Sequence, residues 1–154
     1  MWNNDIYDFL QSQRLLVIAS MSWEDIRTTN VFYWISHDYK LYFISSEATK
    51  HSQQMLENKQ IAFSIAWYNE KNHKDRKAVQ WKGVCRVASS EEEIIEWVRL
   101  HNLHYPEFAW RIDVDRVKNN EHKTHVWVVE PTYMKFWNDE LYWENWTKEF
   151  NFSE

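Results

Sequence analysis

A small β-barrel with helices inserted one at a time is the fold this sequence predicts, on three observations. About six segments, counting the two that flank Pro131 as one, carry the β-branched and aromatic content, or the period-two alternation, of strands. The helical segments fall singly among them, unlike the regular βαβα order of a doubly wound sheet. At 154 residues, 44% hydrophobic and 27% charged, the chain suits one globular domain with a sizeable core.

Residues 5–13 place Ile6, Phe9, Leu10 and Gln13 at helical spacing, with Asn3 or Asn4 as N-cap. Residues 14–21 read as a buried strand, and Ser22 to Asp25 as a turn. Residues 26–36 and 40–44 form two further strands, joined in a hairpin by Ser36, His37 and Asp38. The period changes over 45–56, where Ala48, Ser52, Met55 and Leu56 suit a short helix. Residues 61–68 return to strand, and 69–77, almost without apolar content, form an exposed loop.

Residues 78–88 alternate as a long strand with Gly83, the only glycine, in its middle. A mid-strand glycine costs stability and marks a bulge, a bend or a close backbone approach. Ser90 with Glu93 forms a capping box, and the helix it opens runs to about His104. Residues 105–120 read as a second short helix and an exposed loop. Residues 124–130 and 132–137 are expected as two strands interrupted by Pro131. The tail, 138–154, is aromatic enough to pack against the rest.

Composition excludes several functions. The net charge of −5 argues against phosphate-backbone binding, so no nucleic-acid partner is expected. No apolar run approaches the roughly 20 residues that cross a bilayer, so no membrane partner is expected. Cys85 is the single cysteine, and the opening residues lack a basic segment followed by an apolar one. A cytoplasmic protein without a disulfide framework or signal peptide is the expectation. His101/His104 and His122/His125 have metal-ligand spacing, but no nearby Cys or carboxylate completes a set, and no metal is expected. Hydrolase, zincin and P-loop signatures are absent.

The strongest local signal is Leu41-Tyr42-Phe43-Ile44-Ser45-Ser46-Glu47-Ala48-Thr49-Lys50-His51. A strand runs into a helix whose first turn carries hydroxyls, a lysine and a histidine. The unpaired N–H groups and positive dipole end of such a helix suit a phosphate. Ser45, Ser46 and Thr49 can donate hydrogen bonds, while Lys50 and His51 add charge.

That run resembles the phosphate-binding segment of the pyridoxamine 5′-phosphate oxidase-like split barrels, which bind FMN. Four further pieces follow in family order. Thr28-Thr29-Asn30-Val31-Phe32-Tyr33 resembles the strand along the isoalloxazine ring. Leu56 to Ala62 is similar to the helix-to-strand step. Val79-Gln80-Trp81-Lys82-Gly83 is similar to the strand near the dimer interface. Glu130-Pro131-Thr132-Tyr133-Met134-Lys135-Phe136-Trp137 resembles the final strand.

The resemblance covers about residues 6–138. It implies a mainly β, six-stranded split barrel with a few short helices, acting as a homodimer with FMN at the interface. Ser46, Thr49 and Lys50, with Ser45 and His51, would hold the phosphate. Thr28, Asn30, Val31, Phe32 and Tyr33 would lie along the ring, Gln80 at the ribityl or ring edge, and Trp137 against the flavin. The implied function is oxidation or reduction of a small organic substrate. Where the true oxidases carry an Arg-x-His-x-Arg segment after the final Phe-Trp, this tail reads Asn138-Asp139-Glu140-Leu141-Tyr142 and has no arginine. The alternatives are a barrel that binds flavin, haem or another planar ligand without turnover or has lost its ligand, and a carbohydrate-binding module built on exposed tryptophans.

Overall fold

The computed structural model describes residues 4–119, 123–142 and 145–152. Its elements in chain order are α1 (Asn4–Ser12), β1 (Leu15–Met21), β2 (Ile26–Ile35), β3 (Leu41–Ser46), α2 (Lys50–Glu57), β4 (Gln60–Tyr68) and β5 (Arg76–Val87). Then come α3 (Glu91–His104), a 3₁₀ turn (Pro106–Arg111), α4 (Val114–Asn119), β6 (Thr124–Asn138) and β7 (Thr147–Asn151). The sheet runs β3-β2-β1-β4-β5-β6-β7, and an added β3–β6 pairing closes the first six strands into a barrel. Every pairing is antiparallel. The six-stranded barrel is therefore present, with β7 appended to the free edge of β6.

Alternation sets what each strand faces. Leu16 and Ile18 of β1, Val31, Tyr33 and Ile35 of β2, and Phe63, Val79 and Trp81 point into the barrel and form its core. Helix α1 buries Ile6, Phe9 and Leu10 against that core, and the Tyr33 hydroxyl donates to the Leu10 carbonyl at 2.5 Å. A second core lies outside the barrel, where Trp34, Tyr42, Val126 and Val128 on the backs of β2, β3 and β6 meet Trp97, Leu100 and Tyr105 from the α3 region. Helix α3 starts as its capping sequence requires: the Ser90 hydroxyl accepts from the Glu93 N–H. The Glu93 carboxylate reaches back to the Ser89 N–H, one residue before the expected partner, and also grips Arg86.

The structure differs from expectation at several places. Helix α2 begins at Lys50 with Thr49 as its N-cap, so Ser45 and Ser46 end β3 and a short turn intervenes. β5 begins at Arg76, two residues inside the expected loop. β6 is one strand that passes through Pro131. Its outer edge is paired by β3 as far as Val129 and by β7 from Tyr133, which leaves Pro131 between the two. On the inner side, the register shifts beside Gly83, so the proline sits at an irregularity and not in a regular ladder. The expected packing of the tail is found in β7, whose Phe150 lies against the barrel core together with Phe152. Trp143, His122 and the Asn3 N-cap lie outside the described residues.

Among the described residues no helix is long and apolar enough to cross a membrane.

Candidate functional site

A cleft of about 470 Å³ opens on the outer face of the barrel, between β2–β3 and the α3 excursion. β2 supplies its floor. Asn30, Phe32 and Trp34 alternate outward, opposite the inward Val31, Tyr33 and Ile35. Phe32 is 65% exposed, unusual for a large aromatic side chain in mid-strand. The far wall is His101 and Tyr105 at the end of α3, with Phe108 beyond them. Tyr105 is locked in place: its hydroxyl donates to the Tyr33 carbonyl at 2.6 Å, and its ring lies edge-on to Phe32.

The polar end is built by the turn from β3 into α2. Ser45 Oγ lies 2.6 Å from His51 Nε2 and 3.2 Å from Thr49 Oγ1, which itself donates to the Ser46 carbonyl at 2.8 Å. Burial pushes the His51 imidazole below its ordinary value. It is therefore neutral at neutral pH and adds hydrogen-bonding capacity, where the sequence pointed to added charge. Lys50 stands exposed at the start of α2 and makes no salt bridge among the described residues.

Of the residues singled out from sequence, Asn30, Val31, Phe32, Ser45 and His51 line this cleft. Tyr33 runs alongside with its ring inside the barrel core. Thr49 and Ser46 support the cleft from behind through their hydrogen bonds to Ser45, His51 and the turn. Thr28 is exposed on the same face of β2, and the adjacent Arg27 is engaged with Asp25 at 2.6 Å. Gln80 and Trp137 are elsewhere: they line a separate pocket of about 460 Å³ with Lys135 and Trp146. The Trp137 indole donates to Asp139, and Arg76 lies over its ring.

Register shows how the two sets relate. Asn30 is opposite Val17, Val17 opposite Ser64, and Ser64 opposite Gln80, so all four share the outer face. The middle of that face is apolar and open, with Leu15, Val17, Met21 and Ile26 all exposed. The two groups of candidate residues thus bracket an uncovered apolar sheet.

Arg14, Trp34, His101, Tyr105 and Phe108 were not anticipated. Trp97, His101 and Tyr105 recur at a four-residue spacing, a helical aromatic stripe that was the available signal. His101 and His104 part company: His104 Nε2 contacts the Gln13 carbonyl at 3.2 Å, while His101 Nδ1 contacts Asn102 Oδ1 at 2.9 Å. No group of three metal-ligating side chains occurs among the described residues.

The pyridoxamine 5′-phosphate oxidase sequence family matches residues 4–138. No curated protein matches the chain in sequence. Solved structures do match. An FAD binding protein from Mycobacterium smegmatis aligns at 18% identity and TM-score 0.64, over 99% of this chain and 98% of that one. A heme binding protein from the same organism aligns at 14% identity and TM-score 0.70, over 91% of this chain and 53% of that one. HutZ, the heme storage protein from Vibrio cholerae, aligns at 14% identity and TM-score 0.62, over 84% and 89% of the two chains. At these identities the likeness is one of fold.

Proposed function

The chain belongs to the pyridoxamine 5′-phosphate oxidase family, and we propose that it is an FMN-dependent oxidoreductase acting on a small organic substrate. The observation that carries this reading is an aromatic slot with a compact set of hydrogen-bond donors at one end. A flavin needs an apolar slab for its ring and donors for its phosphate, and these residues fit both needs. Phe32, Trp34 and Phe108 make the slab. Ser45, Ser46, Thr49, Lys50 and His51, with the free N–H groups that begin α2, make the phosphate end. The β2 backbone at Val31 and Tyr33 would run beside the ring while their side chains stay in the barrel core, with Thr28 and Asn30 at its edge. The bound flavin would supply the redox chemistry, while the chain binds it, orients it and keeps water from its face. Because no arginine follows Trp137 in the tail, pyridoxamine 5′-phosphate is not the substrate proposed.

We propose further that the site is completed in a homodimer. A two-fold contact through the open apolar face would carry Gln80 and Trp137 of one copy toward β2 of the other, making two equivalent sites. Cytoplasmic residence is part of the same reading and rests on the lone, buried Cys85.

His101, in the wall of the same cleft, favours one second reading, a barrel that binds haem without turnover. Absorbance of the purified protein separates the two. The paired near-ultraviolet and blue bands of a flavin support the oxidoreductase, a Soret band supports the haem protein, and a colourless protein that takes up neither cofactor refutes both.

A further inference from the structure

The α3 wall of the cleft contains a hydrogen-bond relay that neither the phosphate end nor the aromatic slab uses. It starts at the backbone. Asn102 Nδ2 donates to the Ile112 carbonyl at 3.3 Å, which fixes the orientation of the Asn102 amide and leaves Oδ1 as its acceptor. His101 Nδ1 lies 2.9 Å from that oxygen. An amide oxygen cannot donate, so Nδ1 must carry the proton. In the neutral ring the lone pair is then on Nε2, which has no partner among the described residues.

His101 is held rigidly in this state. It is only 8% exposed. Its ring stacks on Trp97 at 5.7 Å, meets Trp34 edge-on at 5.1 Å and packs on Tyr105 at 5.3 Å. The orienting partner is a neutral amide and not a carboxylate. The relay therefore sets the tautomer. His101 lines the cleft, so an acceptor without a protein donor is left there for a ligand hydrogen to meet.

We propose that His101 Nε2 is the acceptor that selects the small-molecule ligand of this cleft, so that the ligand carries a hydroxyl or amino hydrogen placed against the α3 wall. This rests on the cleft being the ligand site, but not on the identity of the cofactor. The substrate class narrows to alcohols, phenols and amines, and away from ethers and tertiary amines of the same shape.

Two measurements on the purified protein test it. Long-range ¹H–¹⁵N correlation should show His101 with a protonated Nδ1 and a pyridine-like Nε2, and Asn102→Leu should shift the ring toward a mixture of tautomers. A protonated Nε2 in the parent overturns the proposal, whatever the cofactor is. Calorimetric titration with phenol and with anisole gives the second readout. Phenol should bind about tenfold more tightly, the worth of one buried hydrogen bond. His101→Phe and His101→Leu, which carry no acceptor, should both lose that preference, with unfolding midpoints reporting that each variant is folded. Equal binding of the two probes by the parent, or binding of neither, overturns the proposal. A preference for phenol in a protein that takes up no FMN would sink the flavin reading and leave this one standing.

Discussion

Replacing Gly83 should be among the most damaging single changes outside the core aromatics. The reason is steric and not conformational, since no glycine in the chain has a positive φ. A Cβ at position 83 would lie 2.5 Å from the Glu130 carbonyl oxygen, 2.8 Å from Val129 Cγ1 and 3.2 Å from the Glu130 carbonyl carbon. The Val129 methyl can turn away, but the Glu130 oxygen belongs to the backbone of β6. Relieving it means moving two paired strands apart by close to an ångström, at the point where their register already shifts. Strain of that kind costs ~1–3 kcal/mol, and the branched valine belongs at the upper end. Two gains oppose it: ~0.4–1 kcal/mol from restricting the unfolded chain, and part of the ~1 kcal/mol span of strand propensity. With the clash dominant, Gly83→Val should destabilise by about 2 kcal/mol and Gly83→Ala by less. At a urea slope of about 1–3 kcal/mol/M, the valine midpoint should fall by about 1 M. Urea melts of parent, alanine and valine proteins provide the check, with the slope required to stay constant. A valine midpoint equal to or above the parent's would refute the close-approach argument.

Lys50→Ala should weaken FMN binding by about 1.5–3 kcal/mol, the range for a hydrogen bond to a charged group, and leave riboflavin affinity unchanged. Titration of cofactor-free protein with both ligands checks this, and equal losses would remove Lys50 from the phosphate. Val17→Glu should turn a dimer into a folded monomer, because it puts a charge in the middle of the open apolar face. Light scattering that found the parent already monomeric at micromolar concentration would end the two-copy site. Arg86 holds the Glu93 carboxyl down to about 2, from an ordinary value of 4.5. A depressed carboxylate contributes stability that is present above 4.5 and is lost as pH falls toward 2. The stability gap between parent and Glu93→Gln should therefore be constant at neutral pH and close across that window in acid unfolding. A gap that persisted below pH 2 would show that the Arg86 pairing is not its source.

The barrel strands were legible from period-two burial in β1, β4 and β5 and from β-branched and aromatic content in β2, β3 and β6, and α3 because Ser90 and Glu93 announce its start. β7 was not, since Thr147-Lys148-Glu149-Phe150-Asn151 pairs on one edge only and needs no buried alternation. Pro131 misled for a related reason: a proline breaks a ladder only where its N–H is needed, and the gap between β3 and β7 asks for none. In the site, the Ser45 turn followed from the strand-to-helix signal, and Asn30 and Phe32 from the resemblance of their strand to the family's ring-binding one. The α3 wall did not. His101 reads in sequence as half of a His-x-x-His pair, and only the fold shows that Asn102 and not a metal claims its first nitrogen.

The seam between β3 and β6 has a temporal consequence. Leu41 pairs with Val129 and Ser46 with Thr124, so the contacts that shut the barrel join segments far apart along the chain. Loop-closure entropy makes such pairings slow and late. The strands β1, β2 and β3 can pair as sequence neighbours, as can β4 and β5, and β4 joins them through β1, but all five remain an open sheet until residues 124–129 arrive. The α3 region lies between β5 and β6, and its Trp97 and Tyr105 pack on Val126 and Val128. The cleft wall is thus assembled by the same event that closes the seam. A nascent or partly unfolded chain has strands but no pocket, and ligand capture reports completion of the whole barrel.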